Sequence, residues 1–351
     1  MVADAAPTGR SNQLRFRLAR AFVLTVALSV GLSTMALRSG NPERWAETAL
    51  LQYLPYPVYL LPAVAASLTS LWLGWRWRLL ALASLLAVLV VVMGLCVGRA
   101  DDGYEHVRVM TYNIKAYKAI DKPRGMNELA LEIFQHDPDV LVMQDAGYLE
   151  AVQYRQPDVY KAIVGQRQVY HFDQYYVVSR FPIKDCKPWI PFGEVANSFV
   201  HCVLTVHKQE VDLINVHFVT PRKGLNATRQ EGFDGMDIWR GNVQDRMSQA
   251  GRLGDQLRQM KRPRIVAGDL NAPESSNVLQ TLLSTGMRDA FSSAGTGYGY
   301  TYGHTLRPGI SFLRIDHVLV SDQIGVTDAY AGGKAASDHR PVIADLLLVR
   351  Q

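Results

Sequence analysis

Apolar residues are concentrated at one end of the chain and dispersed over the rest of it. Three uncharged apolar stretches, 21–37, 56–75 and 79–97, fall within about eighty residues. Each is close to the ~20 residues that carry a helix across a bilayer. Pro55, Pro57 and Pro62 flank and interrupt the second and leave its start open, although a membrane helix tolerates such breaks near its end. The first stretch, preceded by Arg15, Arg17 and Arg20, also reads as a signal-peptide core, but the two that follow it at once favour a membrane helix. Three such runs so close together argue against core helices of a soluble protein.

Beyond residue 106 the pattern changes to short β-branched runs separated by polar loops. It predicts strands at 107–114, 140–143, Tyr175–Ser179, Phe199–Val206, 211–218, 264–267, 315–320 and 342–349. Helical spacing marks 126–136, with Leu129, Ile133 and Phe134 turned inwards. A second helix is predicted at 238–260, with Ile238, Val243, Met247, Leu253, Leu257 and Met260 as its buried stripe. Several neighbouring strands are joined by short loops and must be antiparallel, whereas helices separate others. The prediction is an α+β domain of mixed sheets covered by helices over residues 103–351, behind an all-α, three-span membrane segment over residues 1–102. The stretch 295–303 reads as a Gly-rich loop that holds Tyr298 and Tyr300, with Tyr302 among its aromatics.

Charge sharpens this division. The chain carries a net charge of +5, but residues 1–99 hold nine Arg, no Lys and three acids, whereas residues 100–351 are close to neutral. A binder of long nucleic acid usually needs a basic excess, because neutralised phosphates supply much of its affinity. Nucleic acid is therefore a possible partner that the charge does not favour. Arg10, Arg15, Arg17 and Arg20 precede the first span, and Arg76 and Arg78 fall between the second and third. Positive loops stay in the cytoplasm, which places the N-terminus inside and the chain after residue 100 outside, on a multi-pass inner-membrane protein. Trp72, Trp75 and Trp77 cluster at the second span's inner end, as interfacial aromatics do. Cys96 is expected to fill space in the third span. Cys186 and Cys202 flank a turn centred on residue 194 and would face each other across a hairpin, where an exported domain permits a disulfide; two free thiols are the alternative.

The polar residues that interrupt the strand pattern lie at strand ends. Asn113 closes Met-Thr-Tyr-Asn-Ile-Lys115, and Asp145 follows Val-Leu-Val-Met-Gln144. His217 stands in Leu-Ile-Asn-Val-His-Phe218, and Asp269 and Asn271 in Ala-Gly-Asp-Leu-Asn271. Asp316 lies in Arg-Ile-Asp-His317, and Asp338 and His339 in Ser-Asp-His-Arg-Pro341. Phosphodiester hydrolysis needs this inventory. Asn113, Asp145 and Asp338 offer oxygens to a hard divalent ion. His339, oriented by Asp316, suits the deprotonation of a water. Asp269 and Asn271, two apart on an extended segment, would both point into the cleft and grip water and phosphate. His317, on the opposite strand face from Asp316, reads as packing.

The series TYNIK, GDLN, RIDH and SDHRPV, in that order over about 230 residues, resembles the endonuclease/exonuclease/phosphatase superfamily, in particular its bacterial members with apolar N-terminal spans. The resemblance implies two mixed sheets packed as a sandwich, flanked by helices, with the site at one edge. It implies Asn113, Asp145 and Asp338 as metal-side ligands for Mg²⁺ or Mn²⁺. Asp269 and Asn271 become positioning residues for nucleophile and phosphate, Asp316 and His339 the base dyad, and His217 a phosphate-contacting or acid-side histidine. The segment Ser179-Arg-Phe-Pro182 matches a structural strand-end motif. One position departs: the family normally has Glu where Asp145 stands, so the carboxylate is one methylene shorter, by about 1.5 Å. The expected function is hydrolysis of a phosphoester by a membrane-anchored metal enzyme, on a lipid-linked or other envelope substrate. A membrane-bound nuclease is one alternative, and a binding domain that has lost catalysis is a second.

Overall fold

The computed structural model describes residues 9–39, 41–103, 106–191, 193, 198–306 and 309–348, with side chains from residue 12. The apolar N-terminal part folds entirely as helices. α1 (Gly9–Arg38), α3 (Pro57–Ser70) and α4 (Trp75–Ala87, prolonged by a π turn over Val88–Val92) pack around small and branched side chains such as Val23, Val26, Ala63, Ala66 and Ala81. Their outward residues, among them Leu28, Leu32, Met35, Leu61 and Leu82, stay exposed, the reverse of a water-soluble bundle. Asn12–Arg38 and Trp75–Val92 are long and apolar enough to cross a membrane, whereas Pro57–Ser70 is a shorter apolar helix.

The helix boundaries differ from those of the predicted spans. Gly74, in extended conformation with ψ 162°, starts α4 at Trp75, so Arg76 and Arg78 lie in its first turn. Gly94, at φ +71°, follows the end of the helix in the left-handed conformation that glycine adopts without strain. Cys96, expected within the last apolar stretch, therefore lies beyond α4, in the two-residue strand β1 (Cys96–Val97) paired with β11 (Thr296–Gly297).

The remaining elements are β2 (His106–Asn113), α5 (Ala116–Ala119), α6 (Gly125–His136), β3 (Val140–Gln144), α7 (Leu149–Arg155), α8 (Pro157–Val164), β4 (Gln168–Phe172), β5 (Tyr175–Ser179), β6 (Ile183–Trp189), β7 (Phe199–Val206) and β8 (Gln209–His217). They continue with α9 (Arg222–Glu231), α10 (Met236–Gln259), β9 (Arg264–Asp269), α11 (Asn277–Leu283), β10 (Met287–Asp289), α12 (Ala290–Ala294), β12 (Asp316–Ser321), β13 (Ile324–Ala331) and β14 (Val342–Leu348). Val349, expected to end the last strand, and Glu194, expected at the β6–β7 turn, lie outside the described residues. Two six-stranded sheets form, in the orders β10–β12–β9–β8–β7–β6 and β13–β14–β2–β3–β5–β4. Among the described residues only the central pairs β2/β3 and β8/β9 are parallel, so both sheets are mixed as expected. Cys186 and Cys202 are register partners across β6 and β7 and form a disulfide.

Alternation along the strands decides what each face does. Val107, Val109, Val140, Val142, Val211, Leu213, Ile265, Ala267, Val318 and Val320 meet between the sheets. The intervening residues Met110, Tyr112, Leu141 and Met143 pack under α6, α7 and α8, and Ile214, Val216, Val266 and Leu319 under α10 and α11. The result is four layers, helix–sheet–sheet–helix. Two predicted inner positions are corrected: Phe134 is 75% exposed, and Ile238 is also exposed. Met126, Leu129, Ala130 and Ile133 form the inner stripe of α6, and Phe134 lies about 100° round the helix from Ile133. In α10, Trp239 takes the buried position, because α2 (Ala46–Leu51), between α1 and α3 in the chain, packs there. The Trp239 indole donates to the Ala46 carbonyl at 2.8 Å.

A buried ionic cluster fixes the entry to β12. Asp289, at the end of β10, accepts two bonds from Arg314 at 2.8 and 2.9 Å and sits 2.8 Å from His317 Nδ1. His317, expected as packing, is thus a hydrogen-bonding partner of Asp289 on the far face of the strand from Asp316. Burial alone would raise the Asp289 carboxyl, but Arg314 and His317 outweigh it and hold it far below the usual carboxylate range. Asp289→Ala leaves Arg314 buried beside half of its former counter-charge. It is expected to cost about 3–5 kcal/mol, read as a lower thermal midpoint of the full chain in detergent. An unchanged midpoint would mean that the cluster does not hold β12.

Candidate active site

Where the inter-sheet face reaches one edge of the sandwich, its apolar run turns polar. The carboxyl ends of the parallel strands β2, β3, β8 and β9 and the amino ends of their antiparallel neighbours β12 and β14 coincide there. Asn113 pairs in register with Gln144, His217 with Asp269, and Asp316 with Asp269. A first polar layer joins the two sheets just inside the edge. Gln144 Nε2 donates to Thr111 Oγ1 at 3.1 Å and to Asn215 Oδ1 at 2.7 Å, and Asn215 Nδ2 donates to the Met143 and Tyr176 carbonyls, each at 3.1 Å. These buried groups satisfy one another, which fixes the separation of β3 and β8.

Above that layer lie the expected site residues. Asp269 is fully buried, and three groups converge on its Oδ2: Asn113 Nδ2 at 2.9 Å, His217 Nε2 at 3.6 Å and His339 Nε2 at 3.8 Å. His339 Nδ1 lies 2.9 Å from Asp316 Oδ2, and both residues are buried. Thr301 Oγ1 accepts the Asp316 backbone N–H at 3.3 Å, and Ser337 Oγ bonds both the Asn113 carbonyl and the His339 N–H. The other edge of the site carries two ion pairs: Lys115 pairs with Asp145, and Lys118 with Asp338. Asn271 departs from the expected extended pair with Asp269. β9 ends at Asp269 and the chain turns, with Asn271 at φ +48°. The Asn271 N–H donates to Asp269 Oδ1 at 2.8 Å and its side chain to the Phe218 carbonyl at 2.9 Å.

Electrostatics separate the two histidines. For His339, burial lowers the pKa, but the Asp316 and Asp269 carboxylates outweigh it and the net shift is upward. For His217 burial prevails, only partly offset by Asp269 and Asp145, and the pKa falls. Its Nδ1 faces Gln174 Oε1 at 2.6 Å, which fixes the ring. Burial would raise Asp145, yet His217 and Lys115 lower it, helped by a bond from Asn113; Lys118 does the same for Asp338. Asp145 also stands at φ +50°, a conformation in which Asp is far commoner than most residues.

Two neighbouring sets of groups could hold a divalent ion. Asp269, Asp316 and His339 offer ligand atoms within 4.8 Å of one another. Asn113 and Asp145 form the second set, with Asp338 further along the edge beside Lys118. Apart from the His339 ring nitrogen the donors are oxygens, which suit a hard cation. The ammonium groups of Lys115 and Lys118 already rest on two of these carboxylates, so the edge is built to take cations. The residues fit a divalent metal.

Several contributors carry no mark in the sequence. Tyr302 lies with its ring 4.9 Å from the His339 ring, and its hydroxyl is 3.5 Å from Arg222 Nη2. Tyr53, in the segment joining α2 to α3, donates from its hydroxyl to the Asn271 carbonyl at 3.0 Å. Arg246 donates to both Tyr53 Oη and that carbonyl, with its guanidinium 5.4 Å from the Tyr53 and Trp239 ring centres. Lys115 lies within TYNIK, yet nothing in that motif marked it with a role.

Oxygen donors, a buried Asp–His pair and converging polar groups at the edge of a two-sheet sandwich define a metal-dependent phosphoric ester hydrolase. The model of the Endonuclease/Exonuclease/phosphatase family matches residues 110–339, and the chain belongs to that family. Among solved structures, TDP2 of D. rerio humanized by 14 mutations is 15% identical, with a TM-score of 0.53 over 69% of this chain and 99% of that one. The endonuclease/exonuclease/phosphatase of Bacteroides vulgatus is 16% identical, with a TM-score of 0.52 over 70% of this chain and 100% of that one. D. rerio TDP2 complexed with single strand DNA product is 13% identical, with a TM-score of 0.51 and coverages of 70% and 100%. These likenesses concern the fold. Among curated proteins none matches the chain.

Tyr53→Phe removes a buried donor to Asn271 and an acceptor for Arg246. It is expected to cost about 1–3 kcal/mol, measured as a lower thermal midpoint of the full chain. An unaltered midpoint would show that α2 touches the site without supporting it.

Proposed function

We propose that this chain is a membrane-anchored phosphodiesterase that uses Mg²⁺ or Mn²⁺ and a water activated by His339, with a lipid-linked or other envelope phosphoester as substrate. Residues 1–102 form the anchor and residues 103–351 the catalytic domain, with the N-terminus cytoplasmic and the domain outside. The observation that carries the chemistry is the buried Asp316–His339 pair at 2.9 Å, with the other ring nitrogen turned towards Asp269. Asp316 holds Nδ1–H and favours the imidazolium, so Nε2 is the atom that takes the proton of water. Asp269 and Asn113 orient that water. Asn271 sets the turn that positions Asp269, and the neutral His217 contacts the phosphate or its leaving side. Asn113, Asp145 and Asp338 would hold the ion, since Asp316 and His339 are committed to each other. When bound, it polarises a phosphoryl oxygen and offsets the charge that develops there.

The anchor reading draws support from the bundle's apolar exterior and from its polarity along the chain. Arg15, Arg17, Arg20, Arg76 and Arg78 belong to the end remote from the sheets, whereas Arg38, Tyr56 and Met93 belong to the end beside them. Through Tyr53 the site's edge is tied to that same end, which favours a substrate close to the bilayer. A membrane-bound nuclease is the second reading, favoured by the single strand DNA product in one structure of similar fold. The near-neutral charge of residues 100–351 speaks against it.

The full chain in detergent, supplied with Mg²⁺, is expected to hydrolyse lipid-linked phosphodiesters faster than single-stranded DNA. The opposite order would select the nuclease, and no hydrolysis of either would overturn the enzymatic reading. His339→Ala should lower turnover by about 10²–10⁴-fold. Asp316→Asn should also be severe, and the double variant little worse than His339→Ala, because residues that act as one unit do not add. Multiplicative losses would separate the two residues. A reporter fused after residue 351 should behave as extracytoplasmic; cytoplasmic activity would reverse the topology.

A further inference from the structure

The bundle and the sheets do not close completely upon each other. Between them lies a cavity of about 430 Å³, within the range of small-ligand sites. None of its lining residues belongs to the active site just described. One wall is apolar: Leu37 at the end of α1, Leu51 at the end of α2, and Val90–Met93 in the last turn of α4. The opposite wall is polar and aromatic, made by Glu274, Ser275, Gln280, Tyr298 and Tyr300. Tyr298, Tyr300 and Tyr56 stack in sequence, with ring centres 5.4 and 5.9 Å apart, and the Tyr300 hydroxyl donates to the Met93 carbonyl at 2.8 Å. This aromatic wall is therefore rigid.

The cavity is lined by three charged residues, Arg38, Glu274 and Arg314, and Arg314 is buried with Asp289 as its counter-charge at 2.8 Å. Arg38, the last residue of α1, is exposed, and no ion pair is found for it among the described residues. Glu274 bonds Arg314 at 3.1 Å yet keeps 43% of its side chain exposed. An anionic ligand would meet the Glu274 carboxylate, and a purely cationic one the Arg38 guanidinium. A ligand bearing both charges a few ångströms apart meets neither conflict, and an apolar tail attached to it would follow the exposed leucines of α1. The ends of α1 and α4 lie at this level, where a bilayer around the bundle would present its headgroups.

We propose that this cavity binds one zwitterionic phospholipid, with its phosphate on Arg38 and its ammonium against Glu274 and the outer face of Tyr298. The contacts required are a charge-assisted bond from a guanidinium to phosphate, and the attraction of a cation to both a carboxylate and a ring face. The lipid is not the substrate: it closes the joint between bundle and sheets. Gln52 lines the cavity and the adjacent Tyr53 bonds Asn271, so the occupied joint supports the turn after β9. The inference rests on the anchor reading, which the reporter fusion tests separately.

The experiment uses the full chain in detergent, freed of lipid and titrated with phosphatidylethanolamine or phosphatidylglycerol, with binding counted by mass spectrometry of the intact protein. Wild-type protein is expected to take up one phosphatidylethanolamine in preference to phosphatidylglycerol. Arg38→Gln and Glu274→Gln should each weaken that uptake about tenfold or more. Gln280→Trp, at an exposed position of α11 on the cavity rim, should abolish it by filling the space while the thermal midpoint of the lipid-free protein is retained. Equal uptake of the two lipids, preference for phosphatidylglycerol, or uptake indifferent to all three substitutions would overturn the proposal. If the reporter places the C-terminus in the cytoplasm while uptake behaves as expected, the topology fails and the lipid site stands.

Discussion

Two carboxylates, Asp269 and Asp316, are register partners in the middle of a sheet, at 0% and 1% exposure. Burying such a pair of like charges without compensation would cost several kcal/mol for each. The surroundings consist of the compensation. His339 takes Asp316, Asn113 takes Asp269, and His217 stands close enough to lend Asp269 partial support. Beyond them Lys115 and Lys118 satisfy the outer acids. The two sheets must meet at this edge for either carboxylate to be tolerable, and the polar layer of Thr111, Gln144 and Asn215 fixes how closely they meet. The site is therefore where the sandwich is most constrained, and its protonation states are set by burial as much as by neighbours.

Much of this could be read from the sequence, because a strand's period of two is a strong signal. Tyr175–Ser179 and Phe199–Val206 have the predicted limits, β14 starts at the predicted residue, and β2, β3 and β9 shift by one or two residues. The same alternation explains why Asn113, His217, Asp269 and Asp316 were legible together. Each continues the apolar inward face of its strand, and a polar residue in that place has no packing role. Helix faces were less secure. Phe134 and Ile238 fit the spacing, but the inward direction depends on what covers a helix, and α2 could not be foreseen on α10.

What remained hidden in the sequence involves contacts between distant segments. Asn271 adjoins Asp269 in the sequence, yet a left-handed turn sends its side chain to the Phe218 carbonyl. His317 reads as filler because nothing nearby announces Asp289 and Arg314 on the far face of the strand. Tyr53 lies between two apolar stretches, where an aromatic residue suggests a membrane interface, and only the folded chain brings it to the Asn271 carbonyl. Cys186 and Cys202 could be set opposite each other by counting from a turn, but whether they bond is a matter of their surroundings.

The segment that bears α2 also changes what the proposed anchor would do. A domain joined to its membrane helices by one strand of chain would swing freely and sample a hemisphere. Here the sheets are held twice: by residues 41–53, through Glu43 on Ser276 and Asn277 and Trp239 on Ala46, and again by Met93 and β1. Two attachments remove rotation as well as distance, so the mouth of the site keeps one height and one heading relative to the bundle. For an enzyme so mounted in a bilayer, encounters are a search in two dimensions. Its rate would follow the surface density of substrate in the lipid around it, and a soluble phosphoester at the same bulk concentration would gain nothing from the mounting.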